Sequence, residues 1–138
     1  MALNSILAVI HILTAVGGLG LIMALQLMVR TPAQANAALA QQYLKWIGMS
    51  LILMLLTGVG MLWATGWLYE HTWWFRIGFL FYVALSAFHG IAQGTMKKIV
   101  ASGEPLATSP LFGKLRTMTM LMSLALVLII ILMEGKPF

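Results

Sequence analysis

The sequence predicts an all-α integral membrane protein, an antiparallel four-helix bundle, on two observations. Of its 138 residues, 62% are hydrophobic and only 8% are charged, whereas soluble domains carry about a quarter charged residues. The apolar residues form four long runs, and about 20 apolar residues suffice for an α-helix to cross a bilayer. Because each helix satisfies its own backbone hydrogen bonds in lipid, four such helices form one compact bundle. We therefore expect a single transmembrane domain over residues 1–138.

The four runs are taken as membrane spans in chain order. The first has no basic residue before it, and it is too long for the apolar region of a signal peptide, which has about 7–15 residues. The second, third and fourth are separated by polar or proline-containing segments. The expected spans are residues 5–29, 44–68, 73–96 and 115–133. Between them we expect an interfacial loop or helical turn at 31–43, a turn of a few residues, and a plain loop at 101–113.

Basic residues are distributed unevenly between the two sides of the predicted bundle. The first and third loops and the adjoining span ends hold six of them: Arg30, Lys45, Lys97, Lys98, Lys114 and Arg116. The other side holds only Arg76 and Lys136. Because cytoplasmic loops are enriched in Lys and Arg, both termini are expected on the non-cytoplasmic side of the membrane. The net charge of +5 is thereby explained by topology and membrane lipids, and no nucleic-acid partner is expected.

His11 lies about six residues inside the first span. Its helical face also carries Asn4, Ala15 and Gly18, which indicates that it points into the bundle. A neutral imidazole at this depth can ligate a haem iron or another metal, or relay a proton. An interhelical hydrogen bond explains it equally well.

Arg76 lies near the outer end of the third span. Its side chain can extend to the headgroups. Its helical face, however, continues through Val83, Ala87, Gly90 and Gly94, which we expect to be the packing side. An inward guanidinium there is suited to a carboxylate, such as a haem propionate or a substrate, and Arg76 is the candidate catalytic residue.

His89 belongs to a polar stripe along the third span. Tyr82, Ser86, His89 and Gln93 follow one another at helical spacing. We expect this stripe to face the interior, either for interhelical hydrogen bonds or as a site in which His89 is a metal ligand and Tyr82 and Ser86 line the cofactor. His11 and His89 should lie about 10 Å or more apart in depth. One histidine per cofactor, with Met or water opposite, is therefore favoured over a bis-histidine centre.

Several activities are excluded by what the sequence lacks. There is no cysteine, and the three acidic residues, Glu70, Glu104 and Glu134, lie at span ends or in loops. No carboxylate is available inside the membrane for a proton or cation relay. Any chemistry must therefore come from a bound cofactor. Glycines in the spans either allow close helix packing or make room for a flat cofactor.

These residues resemble the HemJ-type protoporphyrinogen oxidases and, more distantly, CopD-like four-helix membrane proteins. The similar segments are residues 10–13 around His11, residues 71–79 around Arg76, residues 87–90 around His89 and the ending at residues 136–138. The resemblance implies a haem b bound through His11 and oxidation of protoporphyrinogen IX in the inner membrane. Arg76 stands where the family has a functional lysine.

Two functions remain open at this point. The first is a redox-active, haem-b-binding membrane protein in which His11 is the axial ligand, Arg76 holds a carboxylate and His89 lines the interior. The second is a non-catalytic small subunit of a larger respiratory or photosynthetic membrane complex, which the short loops favour. Its partners would be other membrane subunits or further copies of the chain.

Overall fold

The computed structural model describes residues 2–31 and 35–135, and within them the chain forms four long α-helices and one short 3-10 helix. The long helices are α1 (Ala2–Arg30), α2 (Ala37–Ala64), α3 (Trp73–Ser102) and α4 (Phe112–Gly135), and the 3-10 helix is Leu106–Thr108. All four long helices have the length and composition needed to cross a membrane. The predicted all-α, multi-pass four-helix bundle is therefore confirmed.

The four helices form a ring in chain order. α1 packs against α2 and α3 against α4, and α2–α3 and α1–α4 contacts complete the ring. A Cβ built on Gly60 of α2 would contact Leu7 near the start of α1, whereas Gly18, further along α1, faces Ser50. Residue numbers thus rise along α1 while they fall along α2, which shows that these neighbours are antiparallel.

The ring has two chemically different ends. The basic end, where α1 and α3 finish and α2 and α4 begin, carries Arg30, Lys45, Lys97, Lys98, Lys114 and Arg116. The opposite end, called the terminal end, holds the start of α1 and the end of α4. The sole ion pair among the described residues, between Glu70 and His71 at 3.0 Å, is at the terminal end. Residues 136–138, which include the expected Lys136 and the family-like ending, lie outside the described residues.

Two helices extend beyond the apolar runs that predict them. α2 begins at Ala37, where the Asn36 side chain accepts a hydrogen bond from the Leu39 N–H and caps the helix. α3 continues to Ser102 and ends at Gly103, whose φ of 71° favours glycine. The helical alternative for the segment 31–43 therefore holds from Ala37 onward. The segment 101–113, expected as a plain loop, is partly helical, because a helix can continue past the edge of its apolar segment.

The end of α2 is closed by a Schellman motif. The Gly66 N–H donates to the Trp63 carbonyl and the Trp67 N–H donates to the Leu62 carbonyl, at 3.1 and 2.8 Å. Gly66 and Trp67 both have positive φ, 62° and 61°. These bonds satisfy carbonyls that the end of a helix leaves unpaired and turn the chain toward α3.

The apolar core lies toward the basic end. Fully buried side chains there come from all four helices and include Leu25, Val29, Leu44, Ile47, Met96, Ile99 and Leu115. Along α1, by contrast, no residue from 3 to 17 is buried. The terminal half of α1 is thus held mainly by its contact with α2 and is open on its remaining sides.

Candidate functional site

The side chain of His11 faces α2. Its Nδ1 lies 2.8 Å from the Thr57 hydroxyl oxygen, and the ring is half-buried. Gly58 provides the space, since a Cβ there would come within 3.4 Å of the His11 Cε1. The ring is therefore fixed between a hydroxyl and a bare backbone segment of the neighbouring helix.

The hydrogen bonds of Thr57 assign the protonation of this ring. The Thr57 hydroxyl lies 2.7 Å from the Leu53 carbonyl and 3.2 Å from the Met54 carbonyl of its own helix. A hydroxyl has one proton, and carbonyls can only accept. When that proton goes to the helix, His11 must donate from Nδ1 to the Thr57 oxygen. The lone pair of the neutral ring is then on Nε2, the arrangement in which histidine ligates metals with its other nitrogen oriented by a protein partner.

Asn4 lies two turns before His11 on the same face of α1. Its side-chain Oδ1 is buried and has no hydrogen-bond partner within the described residues. A buried acceptor without a partner is costly. The His11 face of α1 therefore carries unsatisfied polar capacity toward the terminal end, which a bound polar group can satisfy.

His89 is held differently from His11. Its Nε2 lies 2.8 Å from the Leu44 carbonyl, which can only accept, so Nε2 carries the proton. The ring packs onto Gly48, where a Cβ would come within 2.9 Å of the His89 Cε1. The Nε2 of His89 is thus used in a hydrogen bond that joins α3 to α2. Of the two predicted metal ligands, His11 is the one whose Nε2 lone pair is left by its hydrogen bonding.

The remaining predicted stripe residues also lie on the α2 side of α3. The Tyr82 hydroxyl donates to the Leu51 carbonyl at 2.7 Å, and the Ser86 side chain interacts with that of Tyr82. Gln93 is half-buried on the same face. In this arrangement Tyr82 and His89 link α3 to α2, and the stripe forms no shared site with His11.

The two histidines meet α2 at different levels. His11 contacts Thr57, and His89 contacts Leu44 and Gly48. Nine to thirteen residues of α-helix correspond to about 14–20 Å at 1.5 Å per residue. The pair cannot ligate one iron from its two sides.

The expectation that the Arg76 face of α3 is the packing side is wrong. Arg76, Val83, Ala87, Gly90 and Gly94 are all exposed. A Cβ on Gly90 or Gly94 would meet nothing within 4 Å. Small residues mark a possible close approach of helices, but here the helices of the ring cover the opposite faces of α3.

Arg76 itself is tied to the loop at the terminal end. Its Nε donates to the Glu70 carbonyl at 3.0 Å, and its Nη2 lies 3.4 Å from the Nδ1 of His71. The guanidinium therefore stabilises the turn between α2 and α3. The structure does not bring Arg76 together with His11. Arg76 bonds to the loop between α2 and α3, whereas His11 contacts α2 from α1.

No group of three or more His, Asp or Glu side chains able to hold a metal ion occurs in residues 2–31 and 35–135. A haem requires no such group, because the macrocycle supplies four nitrogens and the protein one or two axial ligands. Comparisons of the chain with protein-family models, with curated proteins and with solved structures found no match.

Proposed function

We propose that this chain is a redox-active, haem-b-binding membrane protein in which the Nε2 of His11 is the axial ligand. The observation that carries the proposal is the 2.8 Å contact between the His11 Nδ1 and the Thr57 hydroxyl. It orients the imidazole and leaves a lone pair on Nε2 inside an apolar span. Such partners are typical of ligating histidines and raise their basicity.

The open half of α1 provides a second support. No residue from 3 to 17 of α1 is buried, so a flat apolar group can approach the helix there without displacing core side chains. The residues present thus fit a haem at His11. When bound, a haem supplies a one-electron redox couple.

In this function the protein residues have defined tasks. Thr57 holds the His11 ring in one tautomer, and Gly58 leaves space for the Cε1–Nδ1 edge of the ring against α2. His89 and Tyr82 fasten α3 to α2 and so keep the helix that carries Thr57 in place. Arg76 orders the loop at the terminal end, and a carboxylate reaching that loop would meet its positive charge.

The substrate and the location extend the same proposal. The resemblance to the HemJ-type family suggests protoporphyrinogen IX as the substrate and the inner membrane as the location, and the basic end supports an orientation with both termini on the non-cytoplasmic side. The assay follows the fluorescence of the porphyrin product. A rate of product formation above that of autoxidation without the protein would support this substrate. An unchanged rate would leave a haem protein with another redox partner.

Haem content of histidine variants tests the ligand. Proteins carrying His11→Ala, His89→Ala and His71→Ala are purified from haem-replete cells, and haem per chain is measured by the pyridine haemochrome. His11→Ala should lose the haem, whereas His71→Ala, in the exposed loop, should keep it. Haem that persists in His11→Ala but disappears from His89→Ala would transfer the ligand to His89 and contradict the proposal.

A second function is favoured by the exposed small-residue face of α3. Val83, Ala87, Gly90 and Gly94 leave that face open, as expected where another transmembrane helix packs closely. The chain would then be a small, non-catalytic subunit of a larger membrane complex. Co-purification in mild detergent tests this: Gly90→Leu should release the chain from the complex, and a chain that always purifies alone contradicts it.

A further inference from the structure

A continuous groove runs along one side of the α1–α2 pair. Its section nearer the terminal end has a volume of about 690 Å³. This section is lined by Ile10, Leu13, Thr14, Gly17 and Leu21 of α1 and by Trp46, Ser50 and Leu53, among others, of α2. Its section at the basic end, of about 470 Å³, is lined by Leu27, Met28, Arg30, Thr31, Leu39 and Tyr43, among others. On each helix these residues follow one another at spacings of three and four, so the two sections lie on one stripe.

The groove is apolar along most of its length and polar at one end. Leucine, isoleucine and glycine line most of the section nearer the terminal end. At the basic end the guanidinium of Arg30 and the hydroxyls of Thr31 and Tyr43 lie together, and the first turn of α2, which contains no acidic residue, adds the positive end of a helix dipole. This distribution is complementary to an amphiphile with a long apolar tail and an anionic headgroup.

The charge at this end has little compensation within the described part of the chain. Six basic residues gather there with a single carboxylate, that of Glu104, and neither Arg30 nor Lys45 takes part in an ion pair. The groove opens sideways, where a transmembrane helix pair meets the acyl chains of the bilayer. A ligand from the membrane can therefore enter without passing through water.

The part of the groove between Thr31 and Gly17 is about as long as one leaflet is thick. From Thr31 to Gly17 the helix rises about 21 Å, and half of a bilayer, headgroups included, measures about 20–22 Å. A phospholipid whose phosphate lies at Arg30 would reach Gly17 with its chain. Because Gly17 has no heavy atom within 4 Å of a built Cβ, the groove has free space at that position.

We propose that this groove is a specific site for an anionic phospholipid of the leaflet at the basic end. Arg30 and Tyr43 bind the phosphate, and an acyl chain lies along α1 as far as Gly17. The site is separate from His11, which faces α2 and does not line the groove, and it does not depend on haem binding.

Native mass spectrometry of the detergent-solubilised protein tests the site, with phosphatidylglycerol and phosphatidylcholine of identical chains as probes. One phosphatidylglycerol should be retained in preference to phosphatidylcholine. Arg30→Gln should lower that retention by about fivefold, the factor expected for one basic residue near an anionic surface. Gly17→Leu, whose added Cβ meets no heavy atom within 4 Å, adds bulk to the groove and should lower the retention of the lipid while leaving all charges unchanged.

Matched controls separate a built site from general attraction to the basic end. Lys114→Gln removes one charge from the same end, and Gly90→Leu adds the same side chain to an open face of α3; both should retain the lipid. Size-exclusion profiles and circular dichroism identify any variant that fails to fold. Equal retention of the two lipids, an equal loss in Lys114→Gln, or a bound mass that is not a phospholipid would overturn the proposal.

Discussion

The Nδ1 of His11 in α1 lies 2.8 Å from the hydroxyl oxygen of Thr57 in α2. This contact joins the one half of α1 that is not buried in the core to its neighbouring helix. The Thr57 hydroxyl also lies within hydrogen-bond distance of two carbonyls of its own helix, which favours a proton on the His11 Nδ1. A ligand role and a packing role for His11 therefore both depend on Thr57.

Thr57→Val should weaken haem binding while leaving His11 in place. Valine keeps the shape of threonine but cannot accept the hydrogen bond from Nδ1, and loss of such a partner costs about 10- to 100-fold in metal affinity. Haem retention during dilution in detergent measures the effect. Thr117→Val is the matched control, because the Thr117 hydroxyl bonds only to the Gly113 carbonyl of its own helix. Equal haem retention in both variants would show that Thr57 does not orient a ligand.

Gly48→Ala should destabilise the bundle by about 1–3 kcal/mol, the usual cost of overpacking a well-packed contact. The added Cβ would come within 2.9 Å of the His89 ring, which is held by its bond to the Leu44 carbonyl. Unfolding in mixed micelles gives the free energy. Gly94→Ala, which meets nothing within 4 Å, should leave stability unchanged or raise it by about 0.5–1 kcal/mol. If Gly94→Ala destabilised the bundle more than Gly48→Ala, α3 would have to be rotated differently about its axis.

Gln26 and Ser123 should be energetically coupled across the α1–α4 contact. The Ser123 hydroxyl donates to the Gln26 Oε1 at 2.7 Å, and interhelical hydrogen bonds of this kind are worth about 0.6 kcal/mol on average in membranes. A double-mutant cycle with Gln26→Leu and Ser123→Ala measures the coupling of their unfolding free energies. Additive effects would mean that this bond does not help to close the ring.

Arg76→Gln should loosen the turn between α2 and α3 without removing haem. The variant loses the charged donor to the Glu70 carbonyl and the contact with His71. Hydrogen exchange in residues 65–72 should become faster, whereas haem per chain should remain that of the wild type. Loss of haem from Arg76→Gln, with unchanged hydrogen exchange in the turn, would indicate that Arg76 binds a haem propionate instead.

The spans were predictable from the sequence because their signal is local. Four apolar runs of sufficient length predict four helices whatever their neighbours are. The added length of the helices was less predictable, since residues 37–43, expected as a loop or a helical turn, and residues 97–102 continue as helix beyond the apolar segments that define a span. Their ends are set by Asn36 and Gly103.

The site was less predictable because it depends on how the helices are rotated. The sequence indicates that His11 and His89 face inward, but Thr57 and the Leu44 carbonyl as their partners require the rotation of α2. The same information was missing for Arg76. Its face contains small residues, and a sequence cannot tell whether such a face meets a helix of the same chain or remains outside.

The absorption spectrum of the wild-type protein, purified from haem-replete cells in mild detergent, tests the central claim most directly. We predict a Soret band and, after reduction, an α band, with about one haem per chain and with loss of both bands in His11→Ala. A wild-type spectrum without either band, from protein that is folded and monodisperse, would contradict the account and leave His11 as a packing residue bonded to Thr57.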